Sequence, residues 1–71
     1  MKRAALLKKI KAEAKQLEIV WVLDREGGRH TVYLLGGARI PIPRHVEIDD
    51  NLAEQIFKEC EPELGERWWK R

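Results

Sequence analysis

Two Gly-Gly pairs, Gly27-Gly28 and Gly36-Gly37, bracket the run Thr31-Val32-Tyr33-Leu34-Leu35, and that punctuation limits the fold more than any other feature of the chain. The run is rich in the β-branched, aromatic and aliphatic residues that suit a pleated, half-buried strand. Gly36-Gly37, between Leu35 and Ala38, fits a two-residue hairpin loop, because both central positions can take positive φ without a Cβ clash. Ala38 to Ile42 is then the next antiparallel strand. Pro41 and Pro43 lack an N–H and sit two apart, so the missing donors fall on one side of that strand while Ala38, Ile40 and Ile42 keep theirs for the neighbour. The spacing predicts an edge strand whose free side resists pairing with another chain.

The flanking segments supply helices and one more strand. Leu6, Leu7, Ile10, Ala14 and Leu17 share one face at helical spacing, which predicts an amphipathic helix over about 2–17. Its opposite face carries Lys8, Lys11 and Lys15, a stripe that fits either a nucleic-acid backbone or plain solvation. Glu18 to Leu23 is a short apolar run without helical period and reads as a first strand, about 19–24, well packed beneath the helices. After His45 a second helix is expected over about 50–60, with Asp49 or Asn51 as its N-cap and Cys60 as a small buried core residue. Short connections make the three strands antiparallel, and both helices must cover one face of the sheet. The fold class is therefore α+β, a single domain of helix, three strands (about 19–24, 30–35 and 38–42) and helix, with a tail over 61–71 and the other sheet face free for a ligand. In that tail Trp68 and Trp69 are adjacent and cannot point the same way, so one packs and the other stays partly exposed.

Length and charge narrow the function. A chain of 71 residues supports one domain, and one this short buries only about 60% of the surface exposed on unfolding, so a partner adds to its stability. No apolar run approaches the roughly 20 residues needed to span a bilayer, and lysines interrupt any signal-peptide core in MKRAALLKKI, so a cytoplasmic location is expected. A single cysteine agrees with a reducing compartment. Met1 to His45 holds ten Lys/Arg against four Asp/Glu, and Val46 to Arg71 four against eight. The basic part suits phosphate, and the acidic part is repelled from nucleic acid or folds against its own basic residues. His30, His45 and Cys60 lack the closely spaced pairs of structural zinc sites, and no phosphate-binding P-loop or nucleotide fingerprint occurs, so neither a metal nor a cofactor is expected.

Gly27-Gly28-Arg29-His30 at a strand start, the glycine hairpin, and Ile42-Pro43-Arg44-His45 with Glu47-Ile48 leading into a helix together resemble the HicA toxins of bacterial toxin-antitoxin pairs, over most of the chain. The resemblance implies a small endoribonuclease, an mRNA interferase of a type II system, with a fold similar to a double-stranded-RNA-binding domain and a HicB-like antitoxin that blocks the RNA face. The family's catalytic histidine follows a Gly-Ser dipeptide and would be His30. Arg29 stands where the family usually has serine, which removes any contribution of that hydroxyl.

Metal-free RNA cleavage needs a base for the ribose 2′-OH, cations for the charge that builds on phosphorus, and an acid for the leaving 5′-oxygen. Histidine suits the first and last roles because imidazole titrates near neutrality. His30 is the candidate base or acid. Arg25, Arg29, Arg39 and Arg44 lie near it in sequence, and Arg29 or Arg25 is the candidate phosphate holder, with Arg44 and the stripe of Lys8, Lys11 and Lys15 as further RNA contacts. His45 is either a second acid/base or a local loop contact. Strict alternation sets His30 on one face with Val32 and Leu34, expected to point to the core, unless a bulge at Gly27-Gly28 intervenes or the residue precedes regular pairing. The competing functions are a non-catalytic RNA-binding module of the same fold, with His30 structural, and a small protein-interaction domain.

Overall fold

In the computed structural model, which describes residues 1–70, the order is α1 (Arg3–Gln16), β1 (Trp21–Glu26), β2 (His30–Leu35), β3 (Ala38–Pro43) and α2 (Asp50–Glu59), followed by the short α3 (Glu61–Leu64) and a 3-10 turn at Trp68–Lys70. Arg71, the last residue of the predicted tail, lies outside the described residues. The strands form one antiparallel sheet in the order β1-β2-β3. Leu6, Ile10 and Ala14 of α1 meet Ala53, Ile56 and Phe57 of α2 and Leu35, Ile40 and Ile42 of the sheet in one core. Both helices therefore cover the same sheet face, as the α+β reading requires.

The β2–β3 ladder follows from the glycines and prolines. Leu35 pairs with Ala38, Tyr33 with Ile40 and Thr31 with Ile42, while Pro41 and Pro43 stand opposite Val32 and His30. The prolines thus alternate with the residues that turn toward β2, and β3 is an edge strand. Of the two glycines that could take positive φ, only Gly36 (56°) does so. A Cβ on Gly36 would also collide with the carboxylate of Glu63, so the loop is packed under α3 as well as bent.

Two expectations for the sheet are corrected. β1 is not well packed beneath the helices: Trp21 is half-buried, stacked on Tyr33 with ring centroids 4.4 Å apart, and every later residue of the strand is exposed. A bulge between Leu23 and Arg25 also breaks the register with β2. Val32 and Leu34 are also not the core-facing set of β2. Thr31 and Leu35 are buried toward the helices, with Tyr33 packed against the core, and alternation turns His30, Val32 and Leu34 to the free face.

The ends of the helices resolve the remaining alternatives. Asp49 caps α2, its Oδ1 accepting the Leu52 N–H at 2.9 Å, and the preceding Ile48 is buried. At the start of α1 the Arg3 N–H donates to the Val46 carbonyl and the Ile48 N–H to the Met1 carbonyl, both at 2.8 Å, which fastens α1 to the connection entering α2. Pro62 sits in the first turn of α3. Trp68 is buried, its indole N–H donating to the Phe57 carbonyl at 2.9 Å and its ring edge-on to Phe57, whereas Trp69 is half-buried and stacks on the same Phe57. Cys60 is fully buried, and burial together with the charge of Glu59 pushes its thiol up to about 12.

Candidate functional site

His30 is the first residue of β2 and is exposed. Its backbone is fixed on two sides: its carbonyl accepts the Gly27 N–H at 2.8 Å, and its cross-strand partner is Pro43. Because the next residue, Thr31, turns in toward the helices, the imidazole stands on the uncovered face of the sheet. The feared conflict with the core therefore does not arise, and no bulge at Gly27-Gly28 is needed; the irregularity lies in β1. Among the described residues no protein group hydrogen-bonds the ring.

The arginines divide into two kinds. Arg39 Nε reaches Asp24 Oδ2 at 3.2 Å, and Arg44 Nη2 donates to Glu26 Oε1 at 2.7 Å and to the Gly27 carbonyl at 2.6 Å, so both are already satisfied within the chain. Arg25 and Arg29 are exposed and have no ion pair among the described residues. Arg25 pairs with Val32, which puts its side chain on the free face one strand away from His30. A diagonal pair of this kind on neighbouring strands lies roughly 7–8 Å apart. Arg29 adjoins His30 in the turn. One uncommitted guanidinium, that of Arg25, thus shares the free face with the uncommitted imidazole, and a second, that of Arg29, is exposed in the turn next to it in the chain, with Val22, Val32, Leu34 and Pro41 forming the sheet surface.

Other predicted contacts are not brought to this place. Lys8, Lys11 and Lys15 are exposed on the side of α1 opposite the buried Leu6, Ile10 and Ala14, and so lie on the far side of the molecule from the free sheet face. His45 is exposed in the connection between β3 and α2, and no hydrogen bond or ring contact joins it to His30 among the described residues. Among those residues no group of three or more His, Cys, Asp or Glu is placed to hold a metal ion, and no helix is long and apolar enough to cross a membrane.

Sequence reasoning missed three participants, Arg3, Glu26 and Thr31. Thr31 Oγ1 accepts from Arg3 Nη2 at 3.1 Å and donates to Glu26 Oε1 at 3.0 Å. Nothing local marks these residues, since Arg3 reaches Thr31 from the start of α1; the one available signal was a small hydroxyl residue in a largely apolar run, which must find a partner if it is buried.

Against this geometry, no known protein family, curated protein or solved structure matches the chain.

Proposed function

We propose that the chain is a HicA-like endoribonuclease, the toxin of a two-protein bacterial system, and that it cuts messenger RNA on the free face of its sheet. The observation that supports this reading is the exposed His30 imidazole on that face, with Arg25 diagonal to it on β1 and the exposed Arg29 preceding it in the turn, neither of which is neutralised by the chain itself. In this mechanism His30 takes the proton of a ribose 2′-OH, the 2′-oxygen attacks the adjacent phosphorus, and the 5′-oxygen leaves with a proton from a protonated imidazole or from water. Arg25 and Arg29 hold the phosphate oxygens as negative charge builds on them. The reaction uses no metal and no cofactor. A HicB-like antitoxin would cover the same face, and the pair would work in the cytoplasm.

A second reading is favoured by one observation: no described residue orients the imidazole ring, and His45 makes no contact with it. A general base is ordinarily held by a third group, so the same face also fits a non-catalytic RNA-binding module in which His30 is a contact residue. Induction of the wild type and of His30→Ala in bacteria separates the two. The nuclease reading expects growth arrest and degraded messenger RNA with the wild type alone, and undiminished cutting by the purified protein in a chelator. Equal RNA binding by both forms with no cutting by either would establish the binding module. Loss of cutting in the chelator would end the metal-free mechanism.

A further inference from the structure

Behind His30, on the helix side of the sheet, lies a connected polar group that the proposed chemistry does not use. Thr31 is buried, and its hydroxyl joins Arg3 to Glu26. The Oε1 of Glu26 also accepts from Arg44, and the same Arg44 Nη2 donates to the Gly27 carbonyl. Arg3 Nε in turn donates to the Pro43 carbonyl at 2.8 Å. Each end of this network falls on a residue that fixes the backbone of His30. Gly27 donates its N–H to the His30 carbonyl, Pro43 is the cross-strand partner, and Thr31 is the next residue in the chain. The turn is also tight, since a Cβ on Gly27 would stand 3.0 Å from the His30 carbonyl oxygen.

We infer that Arg44 and Glu26, acting with Thr31 and Arg3, are positioning residues that set the β1–β2 turn and so aim His30 out of the sheet. The inference rests on His30 being the acid-base group of the nuclease proposed above. It changes the part played by Arg44, which the sequence assigned to phosphate. Through one nitrogen, Nη2, this guanidinium bridges a carboxylate and a main-chain carbonyl, and it ties the end of β3 to the turn where β1 becomes β2. Phosphate contact is left to Arg25 and Arg29. Thr31 and Glu26 complete the link to α1 through Arg3, so the turn is braced from both layers.

The test compares Arg44→Gln, Arg44→Lys and Glu26→Gln in the full chain, each checked for folding by far-UV circular dichroism. Three quantities are read: the single-turnover cleavage rate at saturating RNA, RNA affinity and its salt dependence in a His30→Ala background, and exchange of the Gly27 amide proton. For Arg44→Gln the cleavage rate should fall about 10- to 100-fold, the loss typical of a reacting group misplaced by about 1 Å. RNA affinity should stay within about twofold with an unchanged salt slope, because no phosphate contact is removed. Gly27 exchange should become markedly faster, and Arg44→Lys should fall between wild type and Arg44→Gln in rate and in exchange. If Arg44→Gln instead weakens binding and lowers the salt slope by about 0.7, Arg44 touches phosphate and the inference is overturned. Unchanged Gly27 exchange overturns it as well. A wild type that cuts no RNA defeats the nuclease reading on its own, and the exchange rates still decide whether Arg44 sets the turn. Should Arg44→Gln fail to fold, Glu26→Gln carries the same comparison.

Discussion

Neutralising the lysine stripe should hardly change RNA binding, although it removes more charge than neutralising the arginines beside His30. The triple substitution Lys8→Gln, Lys11→Gln, Lys15→Gln deletes three cations on the outer side of α1, whereas Arg25→Gln with Arg29→Gln deletes one on the free sheet face and one in the turn that precedes His30. Even the shortest dimension of the molecule is 16 Å. That is about twice the Debye length of roughly 8 Å at physiological ionic strength, so a phosphate on the sheet face is screened from those lysines. Each phosphate contact with a single strand contributes about 0.7 to the slope of log affinity against log salt. Loss of both arginine contacts should therefore flatten the slope by about 1.4, and loss of the lysines should leave it unchanged. Fluorescence anisotropy of a labelled single-stranded RNA, titrated at several salt concentrations in a His30→Ala background, reads the difference. A slope flattened by about 2 in the lysine variant, with none lost in the arginine variant, would put RNA on the helices and refute the assignment of the sheet face.

Other consequences concern the scaffold and its one thiol. Trp68→Ala should cost about 3–5 kcal/mol, the range for deleting a buried large aromatic, and Trp69→Ala well under half of that; urea unfolding followed by far-UV circular dichroism ranks them, and equal costs would contradict the packing described. Gly36→Ala should cost at least about 1–2 kcal/mol from its left-handed backbone alone, while Gly37→Ala, whose added Cβ meets nothing closer than 3.7 Å, should change the melting temperature little. Burial pushes the folded Cys60 thiol up to about 12 from its ordinary value of 9.0. Its contribution to stability is therefore full below pH 9 and is lost as pH rises toward 12, so Cys60→Ala should show a shallower alkaline fall in unfolding midpoint than wild type, and a thiol reagent at pH 8 should label the native protein only as fast as it opens.

The elements of this fold were legible because each is set by short-range signals. Pro41 and Pro43 marked the edge strand, the two Gly-Gly pairs marked the turns, and the spacing of Leu6, Ile10 and Ala14 marked the inner face of α1. The face on which His30 stands was not legible. Thr31 to Leu35 is apolar at nearly every position, so alternation carries little contrast, and the partner that satisfies the inward Thr31 hydroxyl, Arg3, lies 28 residues earlier. The exposure of β1 was hidden for a related reason. Val20, Val22 and Leu23 look like core residues yet are each about half exposed: Val22 pairs with Leu34 and alternation turns it, with Val20, to the uncovered face, while Leu23 lies on the helix side where the helices leave it open, and no pattern in the composition marks either. Of the predicted site, His30 and Arg25 share the free face and Arg29 stands exposed in the turn before His30; Arg44 is taken up by Glu26 and Gly27, and the lysines lie on the opposite side.

Analysis of the ends left by cleavage reaches the central claim most directly. The purified chain is incubated with a single-stranded RNA in the presence of EDTA, and the product termini are identified by mass spectrometry beside those of His30→Ala. Attack by the ribose 2′-oxygen under His30 predicts fragments ending in a 2′,3′-cyclic phosphate with 5′-hydroxyl partners, and no fragments from the variant. Products with 5′-phosphates, or full cutting by His30→Ala, would contradict the account.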